Sequence, residues 1–108
     1  MSEKLDIVLC CSAGMSTSLV VEKMQDAANE KGINAEIKAV PISSVEDLDS
    51  SHKIDILLLG PQVKFKLNEL KEVYKDQNTL VDVINMMDYG MINGEKILTD
   101  ALKAYEDR

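Results

Sequence analysis

The sequence contains no tryptophan and only one phenylalanine. With three tyrosines as the remaining aromatics, it lacks the stacking platforms on which single-stranded nucleic acids are held. Positive charge is scarce as well. Twelve Lys and Arg against nineteen Asp and Glu leave a formal net charge of −7, the wrong sign for a phosphate backbone or an anionic lipid surface. No nucleic-acid partner is expected. Histidine occurs once, as His52, and the two cysteines, Cys10 and Cys11, are neighbours. Adjacent cysteines make a strained disulfide, and one histidine with two adjacent thiols is too few ligands for a structural zinc site. Neither a metal nor an organic cofactor is expected. The apolar runs are far shorter than the roughly 18–20 residues of a membrane span. The segment Met1 to Asp6 carries charges but no signal-peptide layout. These absences predict a cytosolic chain without direct membrane insertion.

What remains is an ordinary globular balance, 45% hydrophobic and 29% charged over 108 residues. That length suits one compact domain over residues 1–108. Leu5 to Cys11 is almost continuously apolar, as expected of a strand covered on both faces. A helical pattern from about Thr17 to Lys31 places Val20, Met24, Ala27 and Ala28 on one stripe, with Gly32 as its stop. Ile33 to Val40 alternates cleanly, the mark of a half-exposed strand at a sheet edge, and Pro41 ends it. Ser44-Val45-Glu46-Asp47 resembles a capping box. Ile54 to Leu59 reads as another buried strand, broken by Gly60-Pro61-Gln62.

Val63, Leu67, Leu70 and Val73/Tyr74 mark a third amphipathic helix, and Thr79 to Ile84 a fourth strand. A loop with Asp88-Tyr89-Gly90 and Asn93-Gly94 follows it. The last helix carries Ile97, Leu98, Ala101, Leu102 and Tyr105 on one face. The alternation predicts an α/β fold, a four-stranded parallel sheet in the order 2-1-3-4 with helices on both faces.

In such a sheet, ligands bind beyond the carboxyl ends of the strands where successive connections diverge, here between strands 1 and 3. Two segments emerge there, Cys11-Ser12-Ala13-Gly14-Met15-Ser16-Thr17-Ser18 and Gly60-Pro61-Gln62. Small residues let backbone N–H groups converge on an anion, and the helix N-terminus adds about half a positive charge. The same field favours the thiolate of Cys11, the nucleophilic form. Ser12, Ser16, Thr17 and Ser18 offer further donors to phosphate oxygens.

The spacing is similar to the phosphate loop of cysteine phosphatases, which carries an Arg where this chain has Thr17. The only Arg is Arg108. Without a guanidinium to grip the transferring group, hydrolysis is poorly supported, and a phosphocysteine would persist until an acceptor docks.

Taken together, the loop Cys11 to Ser18, the stretch Leu57-Leu58-Leu59-Gly60-Pro61-Gln62, and Tyr89-Gly90 followed by Gly94 closely resemble one family. It is the IIB component of the bacterial phosphoenolpyruvate-dependent sugar phosphotransferase system, lactose/cellobiose (chitobiose) type. The resemblance covers essentially the whole chain. It implies that Cys11 accepts a phosphoryl group from a phosphohistidine of a IIA protein. Cys11 would pass it to a sugar, such as cellobiose, chitobiose or lactose, carried by a membrane IIC protein. Association with the membrane would be peripheral, through IIC. The family commonly has an aromatic or aliphatic residue where this chain has Cys10, and the residues after the doublet select Cys11 as the nucleophile. Asn85 stands where an acidic residue is expected in some relatives.

Other residues have plainer roles. Cys10 is expected to pack as a small hydrophobe. His52, in a polar stretch before strand 3, belongs at the end of the sheet opposite Cys11. Met86, Met87 and Met91 are expected to fill core, an adaptable docking surface being the alternative. Pro61, Gln62 and Tyr89 are candidates to line the site, and Tyr89 could equally be packed. A small cysteine phosphatase, a thiol-sensing or phosphate-binding module, and a phosphorylation-dependent regulator are the competing functions.

Overall fold

The computed structural model describes residues 4–11, 15–42 and 54–107. Ser12, Ala13, Gly14, His52 and the expected capping box at Ser44–Asp47 lie outside them. Four parallel strands, β1 (Leu5–Cys11), β2 (Ala35–Pro41), β3 (Ile56–Leu59) and β4 (Leu80–Val83), form one sheet in the order β2-β1-β3-β4. The expected order is borne out. The register runs Leu5 to Ala35 through Cys11 to Pro41 on one side of β1. On the other it runs Ile7 to Ile56 through Cys10 to Leu59. Pro41 thus belongs to the edge strand rather than lying beyond it, a place where proline costs no ladder bond.

Successive residues of a strand point to opposite faces, and β1 distributes its side chains accordingly. Ile7 and Leu9 join Val20, Met24, Ala28, Leu98 and their neighbours in one buried cluster. Val8 and Cys10 join Leu57, Leu59, Leu70 and Tyr74 in the other. Helices α1 (Met15–Glu30) and α4 (Gly94–Glu106) cover the first face, and α2 (Leu67–Tyr74) covers the second. The apolar stripes expected on the helices join or pack against these clusters, Leu67, Leu102 and Tyr105 being half-buried, except that Val73 is exposed on α2.

α1 begins two residues earlier than the apolar periodicity indicates. It ends as expected at Gly32, which takes φ +69°. Its amide bonds Asn29 O, and the Ile33 amide bonds Ala28 O at 2.9 Å, so the last carbonyls of the helix are satisfied. The side chain of Gln25 then reaches the free edge of β2. Its amide nitrogen donates to Ala35 O at 2.9 Å and its oxygen accepts from Ile37 N at 3.1 Å. One carboxamide takes the place of a neighbouring strand and covers an edge that would otherwise invite pairing.

Two departures concern the carboxyl side of the sheet. The segment after β3 opens as a 3-10 helix, Pro61–Lys66, with Val63 out of helical geometry, before becoming α2. Proline fixes the first turn but cannot donate, and regular α-helix starts only at Leu67. The expected loop after β4 contains a short helix, α3 (Met86–Gly90). Asn85 caps it, its side chain accepting from the amides of Met87 and Asp88. Met86, Met87 and Met91 are 67%, 73% and 71% exposed, so these methionines do not fill the core. The buried residues of α3 are Asp88 and Tyr89 instead.

α4 comes close to α1 at Gly94, its first residue. A Cβ added there would lie 2.5 Å from Met24 N and 2.6 Å from Lys23 C, both backbone atoms of α1. At Gly90 an added Cβ meets nothing within 4 Å. Alanine normally stabilises a helix relative to glycine. We therefore expect Gly90→Ala to be neutral or mildly stabilising. Gly94→Ala should lower the unfolding free energy by about 2–3 kcal/mol, because backbone must move to admit the methyl. Urea unfolding of the two variants beside the parent chain checks the opposite signs.

Candidate active site

The two cysteines occupy chemically different places although they are neighbours. Cys10 has no exposure and packs among the aliphatic side chains of the second cluster. Burial, with a smaller contribution from the adjacent Cys11, pushes its thiol up to about 12. Such a thiol is protonated at neutral pH and is no nucleophile. Cys11 is the last residue of β1 and points to the opposite face, that of α1 and α4. It pairs with β2; the ladder with β3 runs as far as the partner of Cys10, and the Gly60 amide still bonds Cys10 O at 2.9 Å. Cys11 is 2% exposed.

Gly60 lies beside Cys11. A Cβ built on it would lie 3.6 Å from Cys11 Cβ and 3.1 Å from Gln62 Oε1. Gln62 therefore flanks Gly60, near the end of β1, while Pro61 starts the 3-10 helix beside it. The start of α1 supplies the other side. The amides of Met15, Ser16 and Thr17 have no carbonyl four residues earlier within the helix. No acidic residue stands in the first turn, although acids are favoured there by the helix dipole.

Thr17 is 1% exposed, and its hydroxyl lies 2.8 Å from the hydroxyl of Tyr89, itself 7% exposed. Either oxygen can donate in this pair. The residue in the place of the phosphatase Arg thus brings no charge, and its hydroxyl engages a phenol from the far side of the sheet order. Ser18 is exposed on α1. Tyr89 is packed in the first cluster with its hydroxyl on Thr17. The Thr17–Tyr89 bond has no sequence signature, since 72 residues separate its ends. The cap at Asn85 did have one, an Asn three residues before Asp88 at the start of a helical turn.

A separate cavity of about 180 Å³ lies where β4 meets α4, lined in part by Asp82, Asp88 and Asp100. Lys96 Nζ bonds Asp88 at 3.1 Å and Asp100 at 2.8 Å. Three carboxylates against one ammonium make this cavity unsuited to a phosphoryl group. Among the described residues, no group of three or more His, Cys, Asp and Glu side chains is placed to hold a metal ion. No helix among them is long and apolar enough to cross a membrane.

Residues 6–100 match the family model described as the phosphotransferase system lactose/cellobiose-specific IIB subunit. The chain belongs to that family. The galactose-specific EIIB component of Lactococcus lactis subsp. cremoris is 45% identical over 104 residues, 94% of this chain and 95% of the relative. The cellobiose-specific EIIB component of Lactococcus lactis subsp. lactis is 44% identical with the same coverage. The oligo-beta-mannoside-specific EIIB component of Bacillus subtilis is 44% identical over 96 residues, 89% of this chain and 91% of the relative.

Two solved structures share the architecture. The cellobiose-specific IIB protein of Borrelia burgdorferi aligns with a TM-score of 0.75 at 36% identity, covering 97% of this chain and 94% of that one. The lactose-specific IIB domain of Streptococcus pneumoniae aligns at 0.82 over 94% of this chain and 97% of that one. At 16% identity the latter speaks for the fold alone. This IIB chain is accordingly a subunit of a sugar phosphotransferase.

The environment of Cys10 gives this IIB chain a pH signature. In the unfolded chain the thiol ionises near its ordinary value of 9.0, whereas the folded thiol keeps its proton up to about 12. Between these values the folded state binds more protons, so stability is full below pH 9 and falls as pH rises toward 12. Replacing Cys10 by Ala should remove that part of the slope. Unfolding midpoints of parent and variant across pH 8 to 11 (about the range in which the thiol matters) measure it.

Proposed function

We propose that Cys11 carries the phosphoryl group in this phosphotransferase, and that Ser12, Ala13, Gly14, Met15, Ser16, Thr17 and Ser18 form the loop that holds it. The observation supporting this assignment most is the opposite fate of the two thiols. Cys10 is sealed in an aliphatic cluster with its proton held, while Cys11 ends its strand on the face of α1. A IIA protein donates from phosphohistidine. The sulfur of Cys11 attacks phosphorus in line, the S–P bond forming as the N–P bond to the imidazole breaks. Loop amides stabilise the charge on the three equatorial oxygens. A sugar hydroxyl then attacks the cysteinyl phosphate; the O–P bond forms, the S–P bond breaks, the thiolate is restored and the hydroxyl proton is released. No step calls for a metal or an organic cofactor.

The acceptor is a β-glucoside or other disaccharide held by a membrane IIC protein, with which this cytoplasmic domain associates peripherally. Relatives named for galactose and for cellobiose stand at 45% and 44% identity. So small a difference does not sort sugars, in keeping with a sugar pocket formed by IIC. Pro61 and Gln62 line the approach beside Gly60.

Intact-mass measurement after incubation with phosphorylated IIA protein and the general phosphotransferase components tests the assignment. The parent chain and Cys10→Ala should each gain one acid-labile phosphoryl group of about 80 Da. Cys11→Ser should gain none. Uptake on Cys10 in the Cys11→Ser chain would overturn it, and reversible Cys10–Cys11 oxidation without phosphoryl uptake would favour a thiol sensor.

A further inference from the structure

We propose that Tyr89 is a positioning residue for phosphoryl transfer, acting through Thr17 on the first turn of α1; this rests on Cys11 being the acceptor. Thr17 Oγ1 and Tyr89 Oη are 2.8 Å apart and buried. No buried side-chain oxygen or nitrogen among the described residues lacks a partner, so loss of either hydroxyl strands the other. The pair is neutral and cannot counter a dianion by charge. What it supplies is placement. The Thr17 amide belongs to the first turn of α1, which the proposed function assigns to the phosphoryl group, and a misdirected donor loses most of its interaction with a developing charge.

The anchor on the other side is unusually well fixed for so short a helix. Five residues do not hold a helix by themselves. Asn85 caps α3 at its start. At its end the Asn93 amide bonds Asp88 O at 2.9 Å and the Ile92 amide bonds Tyr89 O at 3.1 Å. This closure requires a left-handed residue, and here it is Ile92 at φ +53°. A β-branched residue adopts that conformation only under constraint from its surroundings. Ile92 is packed against the first core cluster. Lys96 holds Asp88, the other inward residue of α3. The phenol is therefore a rigid reference to which the start of α1 is tied.

The consequence is a division of labour within α3. Its inward side fixes the phosphoryl loop, while Met86 and Met87 on it, with Met91 just after, remain outside.

Single-turnover transfer from phosphorylated IIA, followed over a range of its concentrations, tests the proposal. Tyr89→Phe and Thr17→Val should each slow the maximal rate of phosphorylation of Cys11 about tenfold, a loss on the scale of one buried hydrogen bond. The half-saturating concentration of IIA should stay unchanged. The double variant should be no slower than either single one, and Thr17→Ser should restore the rate. Val81→Ala, a destabilising change on the opposite face, serves as a control and should transfer at the parent rate. Parent-like rates in Tyr89→Phe, rate losses that add in the double variant, or an equal loss in Val81→Ala would each overturn the proposal while Cys11→Ser remained inactive. Phosphorylation of the Cys11→Ser chain would overturn both this proposal and the assignment beneath it.

Discussion

Everything about this domain follows from β1 lying in the middle of the sheet, covered on both sides. A strand so placed must divide its side chains between two dry layers. Odd positions Ile7 and Leu9 join the layer of α1 and α4, even positions Val8 and Cys10 the layer of α2. The chemistry of the doublet is decided by that pleat. Cys10 falls on an even position and is enclosed by Leu57, Leu59 and Tyr74. Cys11 falls on an odd one at the point where the ladder with β3 has ended. Of the two sequence neighbours, Cys10 is disabled by desolvation, while Cys11 closes the strand.

The second constraint is the shortage of positive charge. The proposed function has a chain of net charge −7 hold its phosphoryl group with backbone donors. The start of α1 offers such donors. It carries no acid in its first turn and places a hydroxyl, Thr17, where a phosphatase carries a guanidinium. A backbone site has no long flexible side chain to adjust its donors, so their directions must be fixed by the fold. The Thr17–Tyr89 bond and the capped, closed turn of α3 give that fixity from outside the loop.

Much of this was legible in the sequence because period and composition record burial directly. The two-faced run before Cys11, the alternation of Ile33 to Val40 and the Gly32 stop each express a local rule that the structure obeys. The order of the strands followed from which runs were apolar on both faces. The carboxyl side of the sheet was less legible. Met86, Met87 and Met91 carry a core-like spacing but lie exposed, since α3 spends its inward side on Asp88 and Tyr89. Five residues are too few for periodicity to reveal which face is buried. The hydrogen bond that ties Thr17 to Tyr89 depends on two polar atoms meeting across the sheet order, which no local pattern encodes.

α1 is the element on which these separate facts meet. Thr17 ties its first turn to Tyr89, Gly94 lets α4 press against its backbone at Lys23 and Met24, and Gln25 binds the edge of β2. These contacts lie at the first turn and the middle of one rod, and each uses a different kind of interaction. The first fixes where the N-terminus points, the second how closely the helix approaches its neighbour, and the third its register along the sheet. A helix so held cannot shift at one end without straining the others, because packed interiors resist small displacements. The placement of the N-terminus of α1, where the proposed site lies, is accordingly a property of the whole first layer.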